Sequence, residues 1–432
     1  MKINKSIQVI FLCSTLLLLL NKSNAQTASF VSVKGHRFFV ANKPLYYIGT
    51  NYWYGGLLGL EIKKEKGVER LRLELDFLKS KGVTNLRILA GAEGFGLVSG
   101  VERVGPPLQT RKAVFDEGFL KGLDLLITEM AKRSMRAVIF LSNNWEWSGG
   151  FLQYLNWHGR MEDSVFRRKL TWDETRDYVS KFYSCGPCKA DYLKQVAHIL
   201  DHTNSISKKK YTDDPAIMSW EIANEPRPMR PSAIPGYKNW ISDVAAFIKS
   251  KDRKHLVTIG TEGDIGTENI AVYEAIHADK HIDYLTIHIW PKNWNWFTGT
   301  DIAAGMDSVL DKTNRYISRH LLVAVKLNKP LVIEEFGLPR DGHSYDLTST
   351  TTFRDKYYKS IFTTLQKSKD DNGFVAGVNF WSYGGIVKPS RVLWRKGDDY
   401  IGDPPMEEQG LNAVFNGDKS TWNLIEFFSS KL

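Results

Sequence analysis

The chain has 432 residues, 43% hydrophobic and 12% aromatic. That is enough apolar material for one large core or two ordinary ones, and it excludes intrinsic disorder for the bulk of the chain. The formal charge of +10 is spread over scattered Lys and Arg, and the densest run, Lys208 to Lys210, falls in an expected loop, so it reads as a solvated face and leaves no nucleic-acid footprint.

In chain order, residues 1–25 read first, as a secretory leader. Lys2 and Lys5 precede an apolar run from Ile7 to Leu20, and the small residues Ser23 and Ala25 precede a cleavage point before Gln26. The run is shorter than the roughly 20 residues that a membrane-spanning helix needs. Cys13 lies inside it rather than just after it, which argues against lipid attachment. Removing Lys2, Lys5 and Lys22 takes the charge from +10 to +7. Residues 26–432 are therefore expected to form an exported, soluble protein without a transmembrane segment, located outside the cell or in a periplasm.

Eight short β-rich runs follow, at 45–50, 84–90, 136–142, 216–223, 255–261, 284–290, 330–336 and 376–382. Apolar residues at spacings of three and four mark helices between them: Leu71, Leu75 and Leu78; Leu123, Leu126, Ile127 and Met130; Leu193, Val196 and Leu200; then Val272 to Ile276, Tyr316 to Val325 and Phe353 to Leu365. Eight such units close most naturally as a (β/α)8 TIM barrel, one domain with long βα loops. A doubly wound open sheet is the alternative. No internal repeat or low-complexity linker forces a second domain.

In such a barrel the active site gathers at the C-terminal ends of the strands, and the polar residues there form a consistent set. The second run carries Arg87, the third leads into Asn143, Asn144 and Trp145, and the fourth ends in Asn224 and Glu225. The sixth carries His288 and Trp290, the seventh Glu334 and Glu335, and the eighth Trp381. Two carboxyls facing across a pocket are what glycoside hydrolysis needs, one to protonate the leaving oxygen and one to attack or to activate water. Glu225 suits the acid/base role. Glu335 is preferred to Glu334 as nucleophile, because neighbouring strand residues point to opposite faces. Arg87 and His288 would keep Glu335 ionised. Trp53, Trp145, Trp147, Trp290, Trp294, Trp296 and Trp381 lie at strand ends or in the loops beyond, where indoles can pack on sugar rings; Trp145 and Trp381 are the strongest of these.

Cys185 and Cys188 form a CGPC motif shared with thioredoxin-type redox centres. The polar and aromatic stretch before it is not the apolar strand such a centre requires, so a local structural disulfide is expected. No HExxH, paired CxxC or phosphate-binding glycine loop is present, and no metal or cofactor is implied.

The motifs WEIANEP, HIWPKNW, VIEEFG and FWSYGG, in that order, resemble glycoside hydrolase family 5, and more narrowly its endo-β-1,4-mannanases, as do GTNYWY, NNWEWSGG and GDPPMEEQGLNAVF. The resemblance covers nearly all of residues 26–432. It implies retaining hydrolysis of mannan, glucomannan or galactomannan, with Glu225 as acid/base and Glu335 as nucleophile. It places Arg87, Asn224 and His288 around the cleaved sugar, with Trp381 as its stacking platform. Trp290 departs from the pattern: the family commonly has Tyr there, whose hydroxyl contacts the nucleophile, and an indole N–H can donate but not accept. The competing readings are a β-1,4-glucanase on the same barrel, a non-catalytic carbohydrate-binding barrel, and a thiol-disulfide oxidoreductase. Oligomeric state is not legible.

Overall fold

The computed structural model describes residues 29–60 and 64–432; the expected leader lies outside the described residues. Eight parallel strands form the central sheet: β1 Tyr47–Asn51, β2 Asn85–Leu89, β3 Arg136–Phe140, β4 Ile217–Glu221, β5 Leu256–Thr258, β6 Leu285–Ile289, β7 Leu331–Phe336 and β8 Val375–Phe380. They pair in the order β5-β4-β3-β2-β1-β8-β7-β6. The remaining seam, between β5 and β6, is bridged by hydrogen bonds from Asp283 N to Val257 O at 2.8 Å and from His288 N to Glu262 O at 2.9 Å. The sheet is thus a closed (β/α)8 barrel, and every strand is fully buried except for the first residue of β3, as expected of a parallel sheet covered by helices.

The outer ring consists of α1 Lys64–Ser80, α2 Glu117–Lys132, α3 Gly186–Leu200, α4 Ile234–Lys251, α5 Ile270–His277, α6 Ile302–Leu327, α7 Thr352–Asp370 and α8 Lys419–Ser429. Local chemistry sets several of the ends. The Asp116 carboxylate accepts from Gly118 N to start α2, Asn269 accepts from Val272 N to start α5, and Asn328 in a left-handed conformation closes α6. The sequence reading missed α4, although Tyr237, Trp240, Ile241, Val244 and Ile248 recur at helical spacing and are all buried.

An antiparallel sheet, Val31–Lys34, Arg37–Val40 and Lys43–Leu45, covers the bottom of the barrel. Its Phe38 belongs to an apolar layer with Tyr47, Val138, Met218, Tyr284 and Val332. With that end plugged, the open face is the one at which the strands finish. Between β3 and α3 the chain makes a long excursion through the helices Gly150–Trp157, Asp163–Arg167 and Trp172–Ser180. Among the described residues no helix is long and apolar enough to cross a membrane.

Candidate active site

The chain beyond β4 is tied down one residue at a time. Asn224 N bonds Ser142 O at 2.8 Å, and Glu225 N bonds Gly260 O at 2.8 Å. Glu225 takes a left-handed φ of 51°, an uncommon conformation for a non-glycine residue that turns its carboxyl over the mouth. Gly260 makes this close approach feasible: a Cβ there would lie 2.1 Å from Glu221 Oε1 and 2.3 Å from Ala223 O.

Arg87, fully buried at the centre of the barrel, organises what lies below. Its Nε and Nη2 grip Glu221 at 2.8 and 2.6 Å, Nη2 also donates to Asn224 Oδ1 at 2.7 Å, and Nη1 donates to Asn51 Oδ1 at 2.9 Å and to Glu335 Oε1. One rigid guanidinium fork therefore fixes Asn224 and Glu335 relative to each other. Asn143 supports Asn224 from behind, accepting from its Nδ2 at 3.0 Å and from Trp145 N at 3.0 Å.

Glu225 and Glu335 meet at His288. The ring Nδ1 lies 2.6 Å from Glu225 Oε1 and 3.3 Å from Glu335 Oε2, and one atom of each of the three residues falls within 4.8 Å of the others. Trp145 Nε1 donates to Glu225 Oε2 at 2.5 Å, and Trp290 Nε1 donates to Glu335 Oε2 at 3.1 Å. The indole at position 290 thus supplies the contact to the nucleophile candidate that a tyrosine hydroxyl would otherwise make. With those donors and Arg87 engaging the carboxylate lone pairs, the group is a hydrogen-bonded acid pair rather than a metal cage.

Burial pushes both carboxyls above the ordinary range; Arg227, the Trp145 hydrogen bond and Arg87 oppose it at Glu225, while Glu225 and Glu407 add to it at Glu335 against Arg87. Two carboxyls this close in a dry site do not ionise together. The direct contact with Arg87 favours the charge on Glu335 and leaves the proton on Glu225. Burial holds the His288 ring down to about 4, so it is neutral, and its Nδ1 can accept a hydrogen bond from protonated Glu225 or, as the other tautomer, donate one to the carboxylate.

The alternation argument for choosing between Glu334 and Glu335 does not hold locally. The β6–β7 register shifts between Ile287 and His288, so that Ile287 faces Ile333 and His288 faces Glu335. This bulge turns both carboxyls into the barrel, where both are buried. Glu335 reaches the mouth. Glu334 lies deeper, 3.8 Å from Arg87 Nε and 3.7 Å from His288 Nε2.

Above the pair is a cavity of about 410 Å³, lined by Asn224, Glu225 and Glu335 together with Trp145, Trp147, Trp290, Trp294 and Trp381. Trp381 donates its indole N–H to Glu407 at 3.2 Å. Of the sequence candidates, Arg87 and His288 lie beneath this lining, Trp296 lies outside it against Trp294 and Tyr316, and three more stand behind it. Trp53 is buried, bonds Gly402 O at 2.7 Å and packs against Trp147; Asn143 serves Asn224; and Asn144 Oδ1 accepts from Arg227 N at 3.4 Å. Sequence reasoning missed Trp172, Arg227, Glu262 and Glu407, all of which line the cavity. Glu262 directly follows the fifth β-rich run, and the strand-end rule applied there would have found it.

Cys185 and Cys188 are disulfide-bonded at the start of α3. Both are buried, away from the cavity lining. That is the arrangement of a structural bridge, and among the described residues it leaves no exposed thiol for a redox centre.

The model of a family described as glycoside hydrolase family 5 β-mannosidase-like matches residues 28–432. Mannan endo-1,4-β-mannosidase 4 of Solanum lycopersicum is 30% identical over 399 residues, 88% of this chain and 90% of the relative. Mannan endo-1,4-β-mannosidase 3 of Arabidopsis thaliana is 28% identical over 430 residues, 96% and 92% of the two chains. Among solved structures, a family 5 mannosidase from Rhizomucor miehei overlays with a TM-score of 0.84 at 29% identity, covering 94% of this chain and 97% of its own. A mutant of that mannosidase, in complex with mannosyl-fructose, overlays with a TM-score of 0.83, also at 29% identity. The closed barrel, the paired carboxyls at the ends of β4 and β7 and a match to nearly the whole chain agree: the protein belongs to glycoside hydrolase family 5.

Proposed function

We propose that the protein is a secreted, retaining endo-β-1,4-mannanase acting on mannan, glucomannan or galactomannan. The observation that carries the retaining part of this reading is that one carboxyl oxygen of Glu225 and one of Glu335 lie within 4.8 Å of each other and of a His288 ring nitrogen, with unlike partners on each carboxyl. Retaining pairs stand roughly 5–5.5 Å apart, whereas inverting pairs stand roughly 6.5–9.5 Å apart to admit a water. The names of the plant relatives and the mannosyl-fructose bound to the fungal mannosidase support mannose as the sugar.

In the first step Glu335, charged and held by Arg87 and Trp290, attacks the anomeric carbon. The proton of Glu225 passes to the glycosidic oxygen as that bond breaks. In the second step Glu225, now a carboxylate stabilised by the Trp145 N–H and by His288, takes a proton from water. The hydroxide oxygen displaces Glu335 and restores both groups. Two displacements at one carbon return the β configuration. Trp381 and Trp290, which meet edge to face at 5.9 Å, supply the apolar wall for the sugar being cleaved.

Parallel digestion of mannan, glucomannan, galactomannan and a soluble cellulose derivative tests the reading. Manno-oligosaccharides of mixed length from the first three are expected. Release of mannose alone would replace internal cleavage with attack at chain ends, and preferential attack on cellulose would replace mannan with glucan.

A further inference from the structure

We infer that Glu334, the carboxyl buried beneath the catalytic pair, keeps its proton through the reaction and is a positioning residue: its O–H holds His288 in the tautomer whose Nδ1–H is aimed at Glu225 and Glu335. The inference rests on the double-displacement reading of that pair and gives a part to a buried group that the two displacements leave unused.

His288 Nδ1 has carboxyl oxygens as its neighbours, Glu225 Oε1 at 2.6 Å and Glu335 Oε2 at 3.3 Å. A bare lone pair there would face Glu335, the member of the pair that Arg87 keeps charged, and would repel Glu225 as soon as that group gave up its proton. A proton on Nδ1 makes both contacts attractive. The ring is neutral, since burial holds it down to about 4, so a proton on Nδ1 leaves Nε2 as a bare acceptor. His288 is fully buried, where an acceptor without a donor is costly. Nε2 makes no hydrogen bond among the described residues, and the side chain beside it is Glu334, whose Oε2 lies 3.7 Å away. That is about 0.5 Å beyond a hydrogen bond, a gap that a small rotation of the Glu334 carboxyl closes.

The donors of Arg87 lead to the same protonation state. Its five N–H groups are all engaged, by Glu221, Asn51, Glu335 and Asn224. Glu334 stands 3.8 Å from Nε and receives none of them, and both of its oxygens are buried without a donor. A carboxylate left so would be an unpaired charge in a dry interior. Burial and the neighbouring Glu221 charge both raise the Glu334 carboxyl, against Arg87. Protonated, it needs one acceptor, and Nε2 is that acceptor. The bulge between Ile287 and His288 is what brings this carboxyl inward beneath the ring.

Held in this tautomer, His288 donates to Glu225 Oε1 in both halves of the reaction. The acid proton then sits on Oε2, which accepts the Trp145 N–H and, as a hydroxyl oxygen, can donate as well. No ring nitrogen competes with the glycosidic oxygen for that proton. In the second step the same Nδ1–H stabilises the Glu225 carboxylate until water arrives.

Nitrogen-15 NMR of the histidine side chains of the whole protein at neutral pH tests this, with His288 assigned by the loss of its signals in H288Q. Wild type should show a protonated Nδ1 and a bare Nε2. E334M keeps the bulk but offers Nε2 no O–H or N–H; its His288 should shift toward the Nε2–H form, and its kcat/KM on mannopentaose should fall about tenfold or more. E334Q, whose amide can donate to Nε2, should keep the wild-type tautomer and most of the activity. A wild-type ring protonated at Nε2 would overturn the proposal and make Glu334 an acceptor. So would an unchanged tautomer in folded E334M, which would reduce Glu334 to packing. A wild-type enzyme inactive on every mannan would instead reject the mannanase reading, while the NMR result would still decide the tautomer.

Discussion

Glu335 is ion-paired to Arg87, and Arg87 is itself gripped through Nε and Nη2 by Glu221. The nucleophile candidate is thus held by a cation that cannot move without breaking a second buried pair. R87K keeps the charge but loses the fork that binds Glu221, Asn224 and Glu335 together. It should lower kcat at least a hundredfold. Removing the cation altogether, in R87A, should destabilise the fold by about 3–5 kcal/mol, because buried carboxylates are left uncompensated. Steady-state kinetics and thermal unfolding of the two variants check this.

The pH dependence follows from the raised carboxyls. Activity needs Glu335 ionised and Glu225 protonated, so the acid limb of kcat/KM belongs to Glu335 and the alkaline limb to Glu225. Burial raises both groups, and the bell should therefore sit above the range of ordinary carboxyls. The alkaline limb should be present for wild type on mannopentaose, whose leaving oxygen needs the Glu225 proton, and should vanish on β-mannobiosyl fluoride, whose departure needs no acid. The pH profile of wild-type kcat/KM on the two substrates is the measurement.

Glu93 links stability to pH. Buried behind the loop that carries Trp145, it accepts from Ser142 Oγ at 2.7 Å, Gly150 N at 3.0 Å and Gln195 Nε2 at 2.9 Å. Burial still pushes its carboxyl up, from 4.5 to about 7. The folded state holds this proton more tightly than the unfolded chain does. Its stabilising effect is full below pH 4.5 and is lost as pH rises through about 7, by about 3 kcal/mol. Measured from pH 4.5 to 7.5, the unfolding free energy of wild type minus that of E93Q should fall by about 3 kcal/mol across the interval.

Replacing Cys185 and Cys188 together with Ser opens a very short loop. The stability loss should be about 2 kcal/mol by chain entropy. Well below the unfolding temperature, activity on mannan should stay within a few-fold of wild type, read by denaturant titration and reducing-sugar release.

Much of the barrel was legible because its strands are short apolar runs and most of its helices carry an apolar stripe. Asn224, Glu225, His288 and Glu335 were legible because a polar residue at the end of a buried strand has few other reasons to be there. Other features leave weaker traces. The α4 helix begins behind a proline-rich stretch, 226–235, that reads as loop, and its own periodicity was passed over. Trp172 and Arg227 become neighbours of Glu225 through tertiary bracing between two loops, which no local period records. The bulge that brings Glu334 inward is set by pairing with β6, so alternation within β7 could not reveal it. Trp53 shows the converse error: a strand-end indole that buttresses the 402 loop instead of facing substrate.

The central claim is double displacement by Glu335 with Glu225 as acid and then base. Proton NMR of a fresh manno-oligosaccharide digest, recorded before mutarotation, tests it most directly. The account predicts that the first signal at the new reducing end is the β-anomer; an initial α-anomer would make the enzyme inverting and contradict the nucleophile role of Glu335.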